Sequence, residues 1–320
     1  MELLDYIPIH VSTFRANSQF TFDLFLRVNE KHLLYVRNGD DMEEARYNKL
    51  LVQNIDRLFI QRKDLDGYEN FIDQSILSAI EDDTVSLHEK VEIVEGAAVN
   101  SVEAMEQMMD DPNSEVAYRM TMKAAKGLRA VLQKNKNALK KIYFQRGRNH
   151  DLILTHAKNV CALSCRFAFL LGFRDSDLDN LGAAALLHDL GINKLSRDDQ
   201  HSLFKKDPKK FTPDDKRMYY MHSDDAIKML SGRKYVNHSV LQLIEKHEEN
   251  LSGTGFPNKL KDLTQIELIL SLVNCYDKKV TVLGMDPTDA FDEMFQNEIG
   301  NYDLKMLQQF KDALQAEGII

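Results

Sequence analysis

The first eighty residues carry the alternating apolar and polar pattern of β-structure. A half-buried strand is predicted where apolar side chains recur at every second position, at Phe20, Phe22, Leu24, Leu26 and Val28. Residues 29–31 predict a turn into a second strand, from His32 to Arg37, so we expect a hairpin. A helix from about Met42 and a short strand over residues 58–60 would complete a small α/β domain.

From about Thr84 onward the apolar positions follow a helical period, and Gly and Pro are sparse. The sequence predicts an α+β protein in three regions. These are a small N-terminal α/β sensing or docking domain over residues 1–83, a helical linker region over 84–147, and an all-α bundle with a metal site over 148–320.

The helices of the last region are marked by capping residues and glycines. One helix is expected from about Asp151 to Leu171, and a second from after Ser176 to Gly191. Thr212 followed by Pro213 and two acids is a strong helix start, for a helix that runs to Gly232. Asn237 and Thr264 are expected to cap two further helices.

Composition excludes several classes of partner. The chain of 320 residues has 43% hydrophobic residues, 28% charged residues and a formal net charge of −9. This charge argues against duplex nucleic acid and against an anionic membrane, but a metal site can attract a small phosphate ligand locally. Three cysteines make no disulfide framework, and the N-terminus shows no signal peptide, so a cytoplasmic protein is expected.

Four histidines fall on the apolar faces of four successive predicted helices: His156, His188, His222 and His247. His188 ends an almost wholly apolar run and is followed at once by Asp189. A lone histidine of this kind usually belongs to the core. Burying several imidazoles without partners, however, costs about 1–3 kcal/mol each, and one shared metal site would satisfy them together.

The motifs around these histidines resemble the HD-GYP family of metal-dependent cyclic di-GMP phosphodiesterases. The resemblance covers roughly residues 148–320. It rests on His156, on the sequence His-Asp-Leu-Gly at 188–191, on His222, and on the segment from His247 to the Gly-Thr-Gly-Phe-Pro sequence at 253–257. A closing Val-Asn-Cys-Tyr-Asp at 273–277 completes the order.

The resemblance implies an HD-type helical bundle that holds two transition-metal ions. Asp189 would bridge the ions, with His156 and His188 on one and His222 and His247 on the other. A hydroxide held between ions about 3.5–4 Å apart would attack the phosphorus. Imidazole and carboxylate ligands suit iron, manganese or zinc, and the family favours iron.

Other positions of the family's ligand set are altered in this sequence. The family has His-His-Glu where this chain has His247, Glu248 and Glu249, so Glu248 would become a ligand. The family's metal-binding aspartate aligns with Asn274, a weaker neutral ligand, and Asp277 would support or replace it. One carboxylate is gained and one is lost, so the charge of the site is roughly conserved.

The family's substrate contacts are altered as well. Its lysine after the HD-x-G turn is Ile192 here, and Lys194 is the candidate to fill this catalytic role beside Asp189. If Ile192 packs in the core instead, a lysine there would destabilise the fold. The resemblance gives Gly253, Thr254, Gly255, Phe256 and Pro257 as a loop that touches substrate or a partner, although Phe256 lacks the hydroxyl of the family's tyrosine.

Three functions follow from these residues. The favoured one is a phosphodiesterase acting on cyclic di-GMP or a related nucleotide. The alternative is a degenerate signalling adaptor that keeps metal and binds nucleotide or a diguanylate-cyclase-type protein. A non-catalytic scaffold is least favoured, because it has no reason to keep every imidazole.

Overall fold

The computed structural model describes residues 5–144, 151–207 and 210–320. The chain divides into two compact units, Met1–Val131 and Leu132–Ile320. The predicted boundaries at 83/84 and 147/148 differ from this division and stay predictions. The second of them falls outside the described residues.

The first unit contains an antiparallel sheet with the strand order β1-β4-β2-β3. Its strands are β1 (Tyr6–His10), β2 (Leu24–Val28), β3 (Lys31–Val36) and β4 (Arg57–Gln61). The predicted hairpin is confirmed in β2 and β3. Its two-residue turn consists of Asn29 and Glu30, both with positive φ (46° and 65°), as a tight hairpin turn with matching twist requires.

Two details of the strand prediction were wrong. The first hairpin strand begins at Leu24, not at Phe20. Phe20 and Phe22 are buried, but they reach the core from an irregular segment that mimics strand alternation. Strand β1 was missed because it contains Pro8, a residue that argues against a strand. The strand forms because β1 lies at an edge of the sheet, where a missing N–H is tolerated.

Four helices complete the described part of the first unit. They are α1 (Glu44–Val52), α2 (Leu65–Glu81), α3 (Leu87–Met108) and α4 (Ser114–Lys134). Helix α3 packs against β1 and α2, and its N-terminus is fixed by a capping box between Ser86 and Glu89. The division between the compact units falls inside α4.

The described part of the second unit is mainly helical, which confirms the predicted α+β class. Its helices are α5 (Ala138–Phe144), α6 (Leu152–Leu170), α7 (Asp175–Leu187), α8 (Arg197–Phe204), α9 (Pro213–Leu230), α10 (His238–Glu245), α11 (Gln265–Asp277), α12 (Pro287–Asn297) and α13 (Leu304–Ala316). Helix α6 packs against α7 and α11, while α10 packs against α7 and α9. None of the described helices has an apolar stretch long enough to cross a membrane.

The helix starts predicted at Asp151 and Thr212 are confirmed by their caps. Asp151 accepts hydrogen bonds from the backbone N–H groups of Ile153 and Leu154, and Thr212 forms a capping box with Asp215. The end of α7 was wrong. It lies at Leu187 rather than at Gly191, and a 3-10 turn follows over Leu190–Lys194. This earlier end separates His188 and Asp189 from the regular helix.

Candidate metal centre

The four predicted histidines and Asp189 meet in the interior of the second unit. His156 comes from α6, His222 from α9, and His188 and His247 follow the last turns of α7 and α10. All five side chains are at most 3% exposed. Their packing on apolar helix faces therefore concentrates polar atoms in one place that water barely reaches.

Three of the imidazoles are held in the same orientation by backbone carbonyls. His188 Nδ1 lies 2.8 Å from Ala185 O, His247 Nδ1 lies 2.6 Å from Ile244 O, and His222 Nδ1 contacts Tyr219 O. A carbonyl oxygen only accepts hydrogen bonds, so each Nδ1 carries the proton and donates it. In the neutral ring, the opposite nitrogen, Nε2, then presents a free lone pair to the centre of the site.

The two carboxylate oxygens of Asp189 face two different pairs of these rings. Oδ2 lies 3.3 Å from His188 Nε2 and 3.8 Å from His156 Nε2. Oδ1 lies 3.3 Å from His222 Nε2 and 3.9 Å from His247 Nε2. Within the described residues, each oxygen thus forms a triad with two histidines, and the ligand atoms of each triad lie within 4.8 Å of one another.

A cation fits this arrangement because the inward-facing atoms are acceptors. Both oxygens of Asp189 are buried, and among the described residues neither has a hydrogen-bond partner. His222 Nε2 and His247 Nε2 lie only 2.9 Å apart, although neither carries a proton when both rings are neutral. Leaving such groups unpaired would cost several kcal/mol, on the order of 1–3 kcal/mol for each. Nitrogen and carboxylate donors at this spacing suit a divalent transition metal.

Electrostatics favour positive charge at the same place. Burial raises the pKa of Asp189, but the neighbouring His188 lowers it. The net effect is that the pKa of Asp189 lies well below its ordinary value. Burial lowers the pKa of His188, but the charge of Asp189 raises it. The pKa of His188 is therefore raised above its ordinary value. Burial holds the pKa of His247 well below its ordinary value, so this ring stays neutral and its lone pair stays available.

The glycine of the His-Asp-Leu-Gly sequence brings the 3-10 turn into contact with α9. A Cβ atom on Gly191 would lie 1.9 Å from the backbone oxygen of His222 and 2.7 Å from the backbone nitrogen of Ala226. No other residue type allows this approach. Because Gly191 lets the backbone of the 3-10 turn lie against the backbone of α9, it allows Asp189 to lie close to His222.

The predicted ligands of the last motif lie around His156. Asn274 Oδ1 is 2.9 Å from His156 Nε2, so it lies on the inner side of the ring. Asp277 Oδ2 is 2.7 Å from His156 Nδ1, so it lies behind the ring and accepts its proton. Glu248 Oε1 is 3.9 Å from His247 Nε2, and burial raises the pKa of Glu248 to about 7. Direct metal ligation by Asn274, Asp277 or Glu248 stays a prediction.

The residues predicted to replace the family's lysine lie in different surroundings. Ile192 is 3% exposed and packs in a hydrophobic cluster with Ile153, Phe204 and Val282. Lys194, at the end of the 3-10 turn, is exposed. Its predicted catalytic role stays a prediction.

The predicted loop from Gly253 to Pro257 lies against α9, beside the second histidine pair. The ring of Phe256 stacks on Tyr220 at a centroid distance of 4.1 Å and lies 5.9 Å from the ring of His222. Gly255 is buried, and a Cβ there would lie 2.4 Å from the backbone oxygen of Glu248. The loop therefore packs closely against the backbone at Glu248, next to His247.

Glu249 fixes the chain just after this loop. It is fully buried, and its two carboxylate oxygens accept the N–H groups of Asn258 at 2.6 Å and Leu260 at 2.9 Å. Two charge-assisted bonds in the interior hold the loop in one position. This role could not be predicted from the sequence, because Glu249 resembles an ordinary acidic residue at the end of a helix.

The sequence profile of the HD-domain family matches residues 135–306, which is more than half of the chain. The chain belongs to the HD-domain family. A solved structure similar to this HD-domain protein is "Bd1817, a HDG"Y"P protein from Bdellovibrio bacteriovorus". The likeness has a TM-score of 0.73 and 25% sequence identity, and covers 97% of this chain and 100% of the other. No curated protein sequence matches this chain significantly.

This likeness supports an HD-GYP-type member, as the motifs predicted. The family assignment and the two buried triads together indicate a metal-dependent phosphohydrolase of the HD type that binds divalent metal. The four histidines lie in two pairs, one on either side of Asp189.

Two residues beside the triads were missed by sequence reasoning. Lys278 lies with its Nζ 3.3 Å from Glu248 Oε1 and 4.3 Å from the centre of the Tyr219 ring. The hydroxyl of Tyr219 donates to the same Glu248 oxygen at 2.7 Å. A lysine beside an aspartate in a helical pattern predicts only a solvated face, so no signal marked Lys278.

Proposed function

We propose that this HD-domain protein is a metal-dependent phosphodiesterase that acts on cyclic di-GMP or a related phosphodiester. The observation that carries the proposal is the position of Asp189, whose two buried oxygens each face a separate pair of histidines. Two adjacent cation sites joined by one carboxylate are suited to displacement at phosphorus, because both the attacking and the leaving oxygen need stabilisation.

We propose that two transition-metal ions bind there, with iron favoured and manganese or zinc as alternatives. The core ligands are His156, His188, Asp189, His222 and His247. Asn274 and Glu248 are candidates to complete the set, because an oxygen of each lies within 4 Å of a ligating nitrogen. Bound ions supply Lewis acidity and a nucleophile that is activated at neutral pH.

The protein's own residues hold and orient these groups. The backbone carbonyls behind His188, His222 and His247 fix the ring tautomers, and Asp277 does the same for His156. Partners of this kind raise ligand basicity and prevent the rings from turning. Burial of the whole set excludes water, which strengthens every interaction with a developing negative charge.

We further propose that the loop over residues 253–257 contacts the substrate or a partner protein. The support is its position beside the second histidine pair and the half-exposed ring of Tyr220, 41% exposed, that stacks on Phe256. An aromatic surface next to a phosphodiester site is suited to a nucleotide base. A diguanylate-cyclase-type protein is the partner that the family resemblance implies.

A second candidate function is a signalling adaptor that binds metal and nucleotide without turnover. The observation that favours it is Ile192, which is buried among apolar side chains where the family's pattern has a lysine. Loss of one charged contact to the transition state commonly costs about 10²–10³ in rate, so an enzyme altered only here would be slow but measurable.

A turnover assay on metal-loaded protein separates the two functions. The enzyme is expected to convert cyclic di-GMP to a linear product at a rate that falls to background in Asp189→Ala. The adaptor is expected to bind cyclic di-GMP in a metal-dependent way and to leave it intact. A protein that holds two metals but neither binds nor converts the nucleotide would contradict the proposed substrate.

A further inference from the structure

Lys278 is a buried lysine at the edge of the candidate metal centre. Its side chain is only 12% exposed, and Nζ lies 4.3 Å from the ring centre of Tyr219 and 5.6 Å from that of Phe204. Burial lowers the pKa of this ammonium group. Lysines are rarely buried to this extent unless a charge partner or a function keeps them there.

The carboxyl group of Glu248 is the hydrogen-bond partner of Lys278, and several donors share one of its oxygens. Glu248 Oε1 accepts hydrogen bonds from Tyr219 Oη at 2.7 Å, from Asn274 Nδ2 at 3.3 Å and from Lys278 Nζ at 3.3 Å. An ammonium group has three N–H donors. Among the described residues, Glu248 occupies one of them and the two aromatic rings face the group, so donors remain for a further anion.

The backbone changes at Lys278. Helix α11 ends at Asp277, and a π-helical turn runs from Lys278 to Val282. Turns of this kind are rare and occur often at functional sites. Asn274 and Asp277 face His156, and Lys278 directly follows them, so one segment serves both the metal centre and the ammonium group.

Glu248 places the Lys278 ammonium group beside the second histidine pair. Its Oε1 lies 3.3 Å from Lys278 Nζ and 3.9 Å from His247 Nε2. An anion bound to a cation at that histidine pair would therefore lie close to the Lys278 ammonium group as well. Ile192 is uncharged and packs in the hydrophobic cluster that contains Phe204, and Lys194 is exposed. Neither residue therefore supplies a buried positive charge beside the metal centre.

We propose that Lys278 binds a non-bridging oxygen of the substrate phosphate, and that Glu248 is the positioning residue that holds the ammonium in place. This inference rests on the proposed function, since it names the contact that the phosphate of a phosphodiester makes beside the metals. A phosphoryl group carries its negative charge on the non-bridging oxygens, and a lysine ammonium is a compact donor for such an oxygen.

The test compares Lys278→Met with Lys279→Met in the full-length, metal-loaded protein. Lys279 is a matched control, because its side chain is also 12% exposed and its Nζ pairs with Glu293 at 2.6 Å. The probe is inorganic phosphate, titrated by calorimetry, with metal content measured on the same samples. Lys278→Met is expected to weaken phosphate binding by about tenfold or more, the equivalent of one charge-assisted hydrogen bond. Lys279→Met is expected to bind phosphate as the wild type does.

A second pair of variants guards against loss of the fold. Lys278→Gln keeps a hydrogen bond to Glu248 without the charge, and Lys278→Arg keeps the charge. Phosphate affinity is expected to fall in Lys278→Gln and to be largely retained in Lys278→Arg, with both ions still bound in each. A purely structural role would change the melting temperature of these variants without this dependence on charge.

Turnover of cyclic di-GMP, measured on the same samples, separates the inference from the proposed function. Phosphate binding that depends on Lys278 in a protein without turnover would support the inference and contradict the proposed enzyme. Phosphate affinity in Lys278→Met and Lys278→Gln equal to that of the wild type would overturn the inference, whatever the turnover. A metal-loaded wild type that binds no phosphate would overturn it too.

Discussion

The imidazole of His156 donates its Nδ1 proton to Asp277 across 2.7 Å, in a pair that is fully buried. This bond orients the opposite nitrogen, Nε2, toward Asp189 and His188. A carboxylate behind a metal-binding histidine raises the basicity of the ring and fixes its tautomer. Asp277 thus contributes to the metal centre from its far side.

We expect Asp277→Asn to lower metal affinity by about 10–100-fold, because the amide cannot hold the ring as the carboxylate does. The measurement is competition against a chelator of known affinity. Asp289→Asn is the control, since it makes the same change at an exposed position in the first turn of α12. Equal affinities for Asp277→Asn and the wild type would exclude the supporting role.

Gly191 is expected to tolerate no side chain. Gly191→Ala would bring a Cβ within 1.9 Å of the His222 carbonyl, so the 3-10 turn or α9 must shift. We expect a loss of at least ~2 kcal/mol in the free energy of unfolding, since a backbone clash cannot be relieved by a rotamer change. Urea denaturation measures it.

The control for this substitution is Gly67→Ala in α2. A Cβ there meets its nearest neighbour, Phe22, at an ordinary distance of 3.5 Å. A helix gains about 0.4–1 kcal/mol from such a change where the backbone is compatible. If Gly191→Ala unfolds at the same urea concentration as the wild type or a higher one, the close approach at Gly191 does not restrict the fold.

The histidines, the caps and the hairpin could be predicted because each has a local signal. His156, His222 and His247 recur at helical spacing with apolar residues, and Thr212 with Pro213 marks a helix start in any context. The hairpin followed from alternation. The family resemblance then supplied the pairing of the histidines, which no local pattern contains.

The remaining features depend on tertiary contacts that leave no local pattern. Lys278 is buried because α11 brings it against Tyr219 and Phe204, more than fifty residues away along the chain. Glu249 anchors a loop through backbone N–H groups, which every residue except proline has. Strand β1 was hidden by Pro8, which is acceptable only because β1 is an edge strand.

Ile192→Lys tests whether this position belongs to the core or to the substrate site. Ile192 packs against Ile153, Phe204 and Val282, so a lysine would bury an ammonium group among apolar side chains. We expect a loss of ~2 kcal/mol or more in the free energy of unfolding and no gain in turnover. Ile192→Leu, which conserves volume, is expected to cost less than about 1.5 kcal/mol.

Thermal melting and turnover are measured together on both variants of Ile192. A lysine variant that is as stable as the leucine variant and turns over substrate faster than the wild type would contradict the core assignment. It would show that the added ammonium reaches the phosphate from the 3-10 turn.

The metal content of the purified protein tests the central claim most directly. Elemental analysis after metal-supplemented expression is expected to give two transition-metal ions per chain. We expect Asp189→Ala to lose both ions, because each of its oxygens faces one histidine pair, and His247→Ala to weaken one ion preferentially. Fewer than one ion per wild-type chain, or two ions retained in Asp189→Ala, would contradict a metal centre built on this carboxylate.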